Sequence, residues 1–276
     1  MSSPSHDPDR RFDARRRWES ITGDLRDDPA RVGRPRPVSA PDRGGAHHVL
    51  FRGIDDLCRT AVRLTGVDGA AIAVFESAGD ARDLVFATDA TATHLDDLQF
   101  TLGEGPCIDA FATQEPVIIG TLADDSATDR WPVFRAEVRA MDIGAVFVVP
   151  VSADDFTVGV LELYRRRAGD LTHDERQAAQ VCARLAAVTI RHNVDEVAES
   201  ADAVEEFIED THEHLGRDDV HVAAGMIAVQ LGVSTGAALE LLKGAAFRLG
   251  RPISLLSGEI VTRNRTFREI ESEYRP

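Results

Sequence analysis

The chain has 276 residues, of which 43% are hydrophobic and 28% charged, and its formal net charge is −16. This length accommodates one large domain or two modest ones, and the composition is that of an ordinary soluble protein. No apolar run approaches the ~20 residues that span a bilayer, and residues 1–17 lack the apolar centre of a secretory signal. We therefore expect a cytoplasmic protein without membrane contact. The acidic balance argues against a general nucleic-acid binder.

Residues 1–46 are predicted to form a disordered or weakly ordered arm. Prolines recur along this segment, at positions 4, 8, 29, 35, 37 and 41. Charges of both signs alternate there with few apolar residues, so the segment cannot bury a core.

Regular elements are expected from residue 47 to residue 192. Apolar residues at helical spacing predict a helix from Ile54 to Leu64 that stops at Gly66. A loop over residues 103–111 enters a second helix, and residues 131–141 form an amphipathic one. Five β-prone runs predict strands at Ala70–Phe75, Leu84–Thr88, Pro116–Gly120, Gly144–Val151 and Val158–Tyr164. The pattern favours an α+β fold whose strands lie mostly in a meander, with helices packed on one side.

A long helix is predicted to follow this region. Thr172 and Glu175 have the spacing of a capping box, and neither proline nor glycine occurs from Leu171 to Leu215. Apolar spacings of three and four residues are typical of helices that pair, which predicts a homodimer. Residues 193–214 are assigned as a helical linker. Two shorter helices with a break near Asn193 are the alternative.

Residues 215–266 are predicted to form a compact unit of three short helices. The first ends at Gly232, and the second begins after Ser234 and ends at Gly250. The third follows Pro252 and extends to about Arg265. From residue 214 to residue 268, seven basic side chains stand against four acidic ones, so this stretch carries +3 within an acidic chain. Residues 267–276 are assigned as a tail.

Two families are recognisable in these segments. Residues 53–190 resemble a GAF domain, a sensor fold, chiefly through the sequence Leu-Gly-Glu-Gly-Pro-Cys at 102–107 and the strand pair at 144–164. Residues 215–265 resemble an ANTAR domain, in which an Ala-x-Gly first helix precedes an Ala-x-x-x-Leu-Arg-x-x-Ala second helix. The matching residues are Ala223, Gly225, Ala238, Leu242 and Ala246. The resemblance implies binding to paired RNA stem-loops and control of transcription termination or translation.

The ANTAR resemblance also implies where RNA would bind. The expected contact positions are Lys243, Arg248, Arg251, Ala224 and Met226. Lys243 is the only lysine in the chain. Many family members have lysine at the position of Ala224 and an aromatic residue at that of Ala245. Since RNA loops are bound by stacking and by basic side chains on phosphate, both departures should weaken RNA binding. An alternative is a GAF sensor that acts through protein partners.

The GAF resemblance places a candidate small-molecule pocket at Glu104 and Cys107, without an identified ligand or cofactor. Cys107 enters a helix, where the helix dipole could lower the pKa of a thiol. A second alternative is therefore a GAF-type thiol redox enzyme, although packing predicts that Cys58 and Cys182 are buried and inert. No metal-ligating set and no catalytic set of side chains is recognisable in the sequence.

Overall fold

An antiparallel five-stranded sheet forms the centre of the N-terminal part of the protein. The computed structural model describes residues 50–75, 82–122, 130–153, 156–199 and 217–274. Along the sheet the strands run in the order β2-β1-β5-β4-β3. They are β1 Gly69–Phe75, β2 Arg82–Ala87, β3 Val117–Ile119, β4 Ala145–Ala153 and β5 Phe156–Arg165.

Helices precede, connect and follow these strands. Among the described residues the first five are α1 Ile54–Thr65, α2 Ala90–Leu102, α3 Pro106–Thr113, α4 Pro132–Ala140 and α5 His173–Glu199. Four more lie within residues 217–274: α6 Asp218–Leu231, α7 Thr235–Leu249, α8 Ile253–Val261 and α9 Phe267–Tyr274. The α+β fold class and the five predicted strands are confirmed, whereas α2 was not anticipated.

Helices cover both faces of the sheet, so the expectation of helices on one side is wrong. Phe147 and Val149 of β4 pack with α1 and α5, whereas Val146 and Val148 pack with α2, α3 and α4. Successive residues of a strand point to opposite faces, and because both sets are apolar, both faces need a cover. The meander is also incomplete, since β1 pairs with both β2 and β5.

Helix α5 is continuous from His173 to Glu199. The predicted capping box is present, because the Thr172 N–H donates to the Glu175 carboxylate and the Glu175 N–H donates to the Thr172 hydroxyl. Asn193 is buried and its side-chain amide donates to the carbonyls of Leu50 and Arg52. The alternative break near Asn193 is therefore wrong. The arm at 1–46 and the linker beyond residue 199 lie outside the described residues.

The described residues 217–274, which we call the C-terminal part, contain four helices rather than the predicted three. Gly232 and Gly250 end α6 and α7 with positive φ, and the Ser234 hydroxyl accepts the Ala237 N–H at the start of α7. The third helix ends at Val261, short of the predicted Arg265. The assignment of 267–276 as a tail is wrong, because Phe267 and Ile270 of α9 are buried in the C-terminal core. These two apolar side chains complete a core that three short helices leave open.

The C-terminal helices pack against α2, and Arg43–Pro276 forms one compact unit. The described residues contain no single helix that is both long and apolar enough to cross a membrane. The consecutive helices at Asp219–Leu231 and Thr235–Leu249 reach such a composition only when they are taken together, across a bend of 108°.

Candidate functional site

Helix α2 connects the sheet to the C-terminal helices. The Asp89 carboxylate accepts the N–H groups of Thr91 and Ala92, which fixes the start of the helix, and Gly103 ends it with positive φ. Between these ends α2 buries apolar and charged side chains together. Leu95 and Leu98 pack toward the sheet, while Phe100 belongs to the hydrophobic core of the C-terminal helices.

Arg217, just before α6, is the main polar contact of this interface. Its side chain is 1% exposed, and its Nη2 donates to Asp96 Oδ2 at 2.6 Å and to Asp97 Oδ1 at 3.2 Å. Its Nη1 donates to the Arg82 carbonyl at 3.0 Å, and its guanidinium carbon lies 4.0 Å from the centre of the Phe100 ring. Buried charges are costly unless they are paired, so these contacts tie the C-terminal helices to α2.

Two further C-terminal side chains contact α2. The Ser254 hydroxyl donates to Asp97 Oδ2 at 2.5 Å, and the Lys243 ammonium lies 4.9 Å from the centre of the Phe100 ring. Lys243 also pairs with Glu240 at 3.2 Å, and only 17% of its side chain is exposed. Phe100 is therefore flanked by two cations, and the acidic side chains of α2 are paired with donors from the C-terminal helices.

The polar contacts continue from α2 into the sheet. Arg82 of β2 forms an ion pair with Asp96 and also donates to the Asp96 carbonyl at 2.7 Å. Gln99 donates from Nε2 to Glu162 Oε1 of β5 at 2.7 Å. We call the buried side chains of Arg82, Asp96, Asp97, Glu162 and Arg217 the ionic cluster. It joins the centre of the sheet to the C-terminal helices.

Three carboxylates and two guanidiniums make up the ionic cluster, so it holds one carboxylate in excess. Burial, with the nearby Asp96 carboxylate, raises the pKa of Glu162 to about 7, and burial raises the pKa of Asp97. Oε2 of Glu162 has no hydrogen-bond partner among the described residues. A proton on Glu162 therefore relieves the excess negative charge of the cluster.

The two predicted ligand residues have structural roles. The Glu104 carboxylate accepts the N–H groups of Val133 and Phe134 at 3.1 and 3.0 Å, which caps the start of α4. The Cys107 N–H donates to Gln99 Oε1 at 2.8 Å, and its side chain is fully buried. Glu104 thus joins the turn between α2 and α3 to the start of α4, and Cys107 joins the start of α3 to α2.

The described cysteines do not favour thiol chemistry. Burial raises the pKa of Cys107, and the nearby Glu162 carboxylate raises it further, so the helix dipole does not activate this thiol. Burial also raises the pKa of Cys58, and that of Cys182 to about 11. The prediction that Cys58 and Cys182 are buried is confirmed. At neutral pH all three are protonated, whereas a nucleophilic cysteine needs its thiolate form.

The five predicted RNA-contact positions do not form one surface. Ala224 is fully buried in the C-terminal core, so its assignment as a contact residue is wrong. Arg251 pairs with Glu259 through two hydrogen bonds, of 2.5 and 3.1 Å. Arg248 is exposed in the last turn of α7, while Lys243 lies against Phe100. Ala245, the other departure from the family pattern, is also a buried core position.

Met226 lines a groove on the C-terminal helices, and Lys243, Arg248 and Arg251 are not among the residues that line this groove. The groove has a volume of about 470 Å³. It is lined by Gly225, Met226, Val229, Ile260, Arg263 and Arg265, among others. Val229 is 86% exposed there. In the described parts of the chain, no group of three or more His, Cys, Asp or Glu side chains is arranged to hold a metal ion.

The charged side chains that define the interface were not singled out from the sequence. Arg217 was counted only as one of seven basic residues, and α2 was unassigned. The sequence does carry one signal, because the two consecutive acids at 96 and 97 are flanked by Leu95, Leu98 and Phe100. Charged residues within such an apolar run must either be exposed or find partners, which indicates a buried ion pair at this place.

Comparison with known families gives a match to the GAF domain over residues 54–191, half of the chain. The chain belongs to the GAF domain family. GAF domains are mostly sensory, and a sensory role is consistent with this membership. The match ends at residue 191, in the second half of α5, so α6–α9 lie beyond it. No curated protein matches the chain.

Several solved structures resemble about half of the chain. The GAF-B domain of DevS from Mycobacterium smegmatis is 19% identical, with a TM-score of 0.39 over 56% of this chain and 99% of that one. A domain of a sensor histidine kinase from Sinorhizobium meliloti is also 19% identical, with a TM-score of 0.42 over 56% and 97%. A free methionine-R-sulfoxide reductase from Thermoplasma acidophilum is 14% identical, with a TM-score of 0.40 over 54% and 96%.

Proposed function

We propose that this protein is a signal-sensing regulator whose C-terminal helices bind RNA stem-loops and thereby control transcription termination or translation. The GAF domain would receive the signal from a small molecule or a partner. Helices α6–α9 would be the RNA-binding unit, of the ANTAR kind. The observation that carries the proposal is the direct contact between α2 of the sensor and the basic side chains of the C-terminal unit, because it couples the two parts physically.

Cations on the C-terminal helices support the RNA assignment. Lys243, Arg248 and Arg251 lie on α7 or directly after it. Each cation that neutralises a phosphate on binding releases a counterion, so the affinity falls as salt concentration rises. RNA binding by this unit should therefore be strongly salt-dependent, despite the overall charge of −16.

The test uses the full chain and a synthetic RNA with two paired hexaloop stem-loops. Fluorescence anisotropy measures the affinity at a series of salt concentrations. Lys243→Ala and Arg248→Ala should each weaken binding and reduce the slope of log affinity against log salt by about 1. Arg63→Ala, an exposed arginine on α1, is the matched control and should leave both unchanged. Binding that is absent, or independent of salt, would contradict the proposal.

A second candidate is a sensor that acts through a protein partner. The observation that favours it is the exposed apolar surface of the C-terminal helices, where Val229 is 86% and Leu255 60% exposed. The pairing of Lys243 with Glu240 and of Arg251 with Glu259 also reduces the net positive charge offered to RNA. This candidate would be favoured if neither the wild type nor any variant bound RNA, and if Val229 and Leu255 were shielded from solvent in cells.

We also propose that the protein forms a homodimer through α5. Val181, Leu185 and Val188 are spaced four and three residues apart on this helix, and each is 41–43% exposed. This spacing places them along one stripe, as in paired helices. A dimer would present two C-terminal units to the two stem-loops of one RNA.

A further inference from the structure

The side chains that α2 presents to the C-terminal helices have the chemistry of a nucleotide. Asp96 and Asp97 offer anionic oxygens, and Phe100, one helical turn further on, offers a flat ring. Opposite them lie a guanidinium, an ammonium and a hydroxyl, from Arg217, Lys243 and Ser254. These are donors that RNA-binding proteins use for phosphate oxygens and for stacking on bases.

The distances between these side chains are those expected for a bound nucleotide. The Arg217 guanidinium lies 4.0 Å from the ring centre of Phe100, which is a stacking distance, and the Lys243 ammonium lies 4.9 Å from the same centre. Arg217 also donates to both carboxylates, as it would to the oxygens of a phosphate. An unpaired base and its phosphate could therefore replace Phe100 and the two aspartates without a change in the type of any contact.

We propose that Arg217, Lys243 and Ser254 form a subsite for one unpaired RNA nucleotide, and that α2 occupies it as an intramolecular mimic, with Phe100 in place of the base and Asp96 and Asp97 in place of the phosphate. This inference rests on the proposed RNA-binding function and adds both the site and its regulation. RNA and α2 then exclude each other from the subsite, so each weakens the binding of the other by the same factor.

The position of Asp96 connects this competition to the sensor. One of its oxygens accepts from Arg217, and the other pairs with Arg82 on the sheet of the GAF domain. A signal that moves α2 relative to the sheet changes the contacts of Asp96 on both sides. Such a signal alters the occupancy of the subsite by α2 and hence the affinity for RNA.

The experiment uses the full chain and the RNA with two paired hexaloop stem-loops. Asp97→Asn/Phe100→Ala removes two of the three side chains of the mimic and keeps the pairs of Asp96 with Arg82 and Arg217. In this variant the affinity for RNA should rise roughly tenfold, a gain of about 1.4 kcal/mol. Asp56→Asn, an exposed acid on α1, is the matched control for the loss of a negative charge and should leave the affinity unchanged.

A second set of variants separates a nucleotide subsite from a purely structural contact. When Arg217→Gln is added to Asp97→Asn/Phe100→Ala, the affinity should fall roughly tenfold and the salt slope by about 1. An unchanged affinity would mean that Arg217 only holds the two parts together, and would overturn the inference. Loss of RNA binding by all variants and by the wild type would instead overturn the proposed function, and this inference with it.

Hydrogen exchange on the wild-type protein tests the same idea without substitutions. Addition of the RNA should accelerate exchange of the backbone amides at the C-terminal end of α2, around residues 97–102, and leave those of α1 unchanged. Binding of the RNA with no change of exchange in α2 would overturn the inference while leaving the proposed function in place.

Discussion

The two faces of the central sheet are covered in different ways. Against α1 and α5, side chains such as Ile72, Phe147 and Leu161 form an apolar core. Against α2, apolar residues share the interior with the ionic cluster, which reaches the C-terminal helices through Arg217. Apolar contacts do not depend on protonation or on a particular partner, whereas buried charges depend on both. The first face supplies stability, and the second couples the sheet to the C-terminal helices.

The largest effect expected on the α2 face follows from removing its central cation. Arg217→Ala leaves Asp96 and Asp97 buried without this partner, which should cost about 3–5 kcal/mol. The loss should appear as faster hydrogen exchange in α6–α8, with the α1 and α5 face unaffected. Arg52→Ala is the control, because its ion pair with Glu196 is exposed and should contribute about 0–1 kcal/mol. Equal losses in both variants would remove the distinction between the two faces.

A second difference between the faces is their dependence on pH. The carboxyl of Glu162 has its pKa raised from 4.5 to about 7 by burial and by Asp96. Between these values the folded protein keeps a proton that the unfolded chain releases, so the free energy of unfolding falls as the pH rises through this window. Glu162→Gln should remove the part of this fall that Glu162 contributes and stabilise the protein at pH 8 by about 3 kcal/mol.

Denaturant unfolding at pH 5 and at pH 8 measures this effect. Glu115→Gln serves as the matched control, because Glu115 is exposed and should leave the pH dependence as it is in the wild type. A Glu162→Gln variant that keeps the wild-type slope would show that Glu162 does not carry the excess charge of the cluster.

A smaller effect is expected at the rim of the interface. Ser254→Ala removes a hydrogen bond to Asp97 but leaves the bond from Arg217, so docking of the C-terminal helices should weaken by about 1–2 kcal/mol. Hydrogen exchange in α8 reports the change. Ser272→Ala, an exposed serine of α9 that donates to the Glu269 carbonyl, is the control, and an equal effect there would contradict the role of Ser254.

The smallest effect on folding is expected on the outer surface of the apolar face. Leu185→Glu changes a 43% exposed side chain on α5 and should leave the fold stable while converting a dimer to a monomer. Light scattering after gel filtration measures the mass. Leu255→Glu, an exposed leucine outside α5, should leave the mass unchanged. A wild-type protein that is monomeric at every concentration would contradict pairing through α5.

The sequence was informative wherever local rules set the structure. Gly66, Gly232 and Gly250 end their helices with positive φ as expected, because glycine adopts this conformation without a steric penalty. Thr172 and Glu175 form the predicted capping box for a similar reason, since both partners lie within one turn. Five predicted strands are present because their apolar residues are continuous.

The features that were missed depend on contacts between distant parts of the chain. Helix α2 has no single apolar face, because one side packs on the sheet and the other on the C-terminal helices. Helix α9 offers only Phe267 and Ile270 within a charged segment. Arg217 lies 120 residues from Asp97, so nothing in its local sequence indicates that it is buried in an ion pair.

Lys243 provides the most direct test of whether α2 and RNA occupy the same site, because it is the only lysine in the chain. Its rate of modification by an amine-reactive reagent can be followed by mass spectrometry. We predict slow modification in the wild type, faster modification in Asp97→Asn/Phe100→Ala, and slow modification again when the RNA with two hexaloop stem-loops is added to that variant. If Lys243 in the variant reacts equally fast with and without bound RNA, α2 and RNA do not share this site and the account is contradicted.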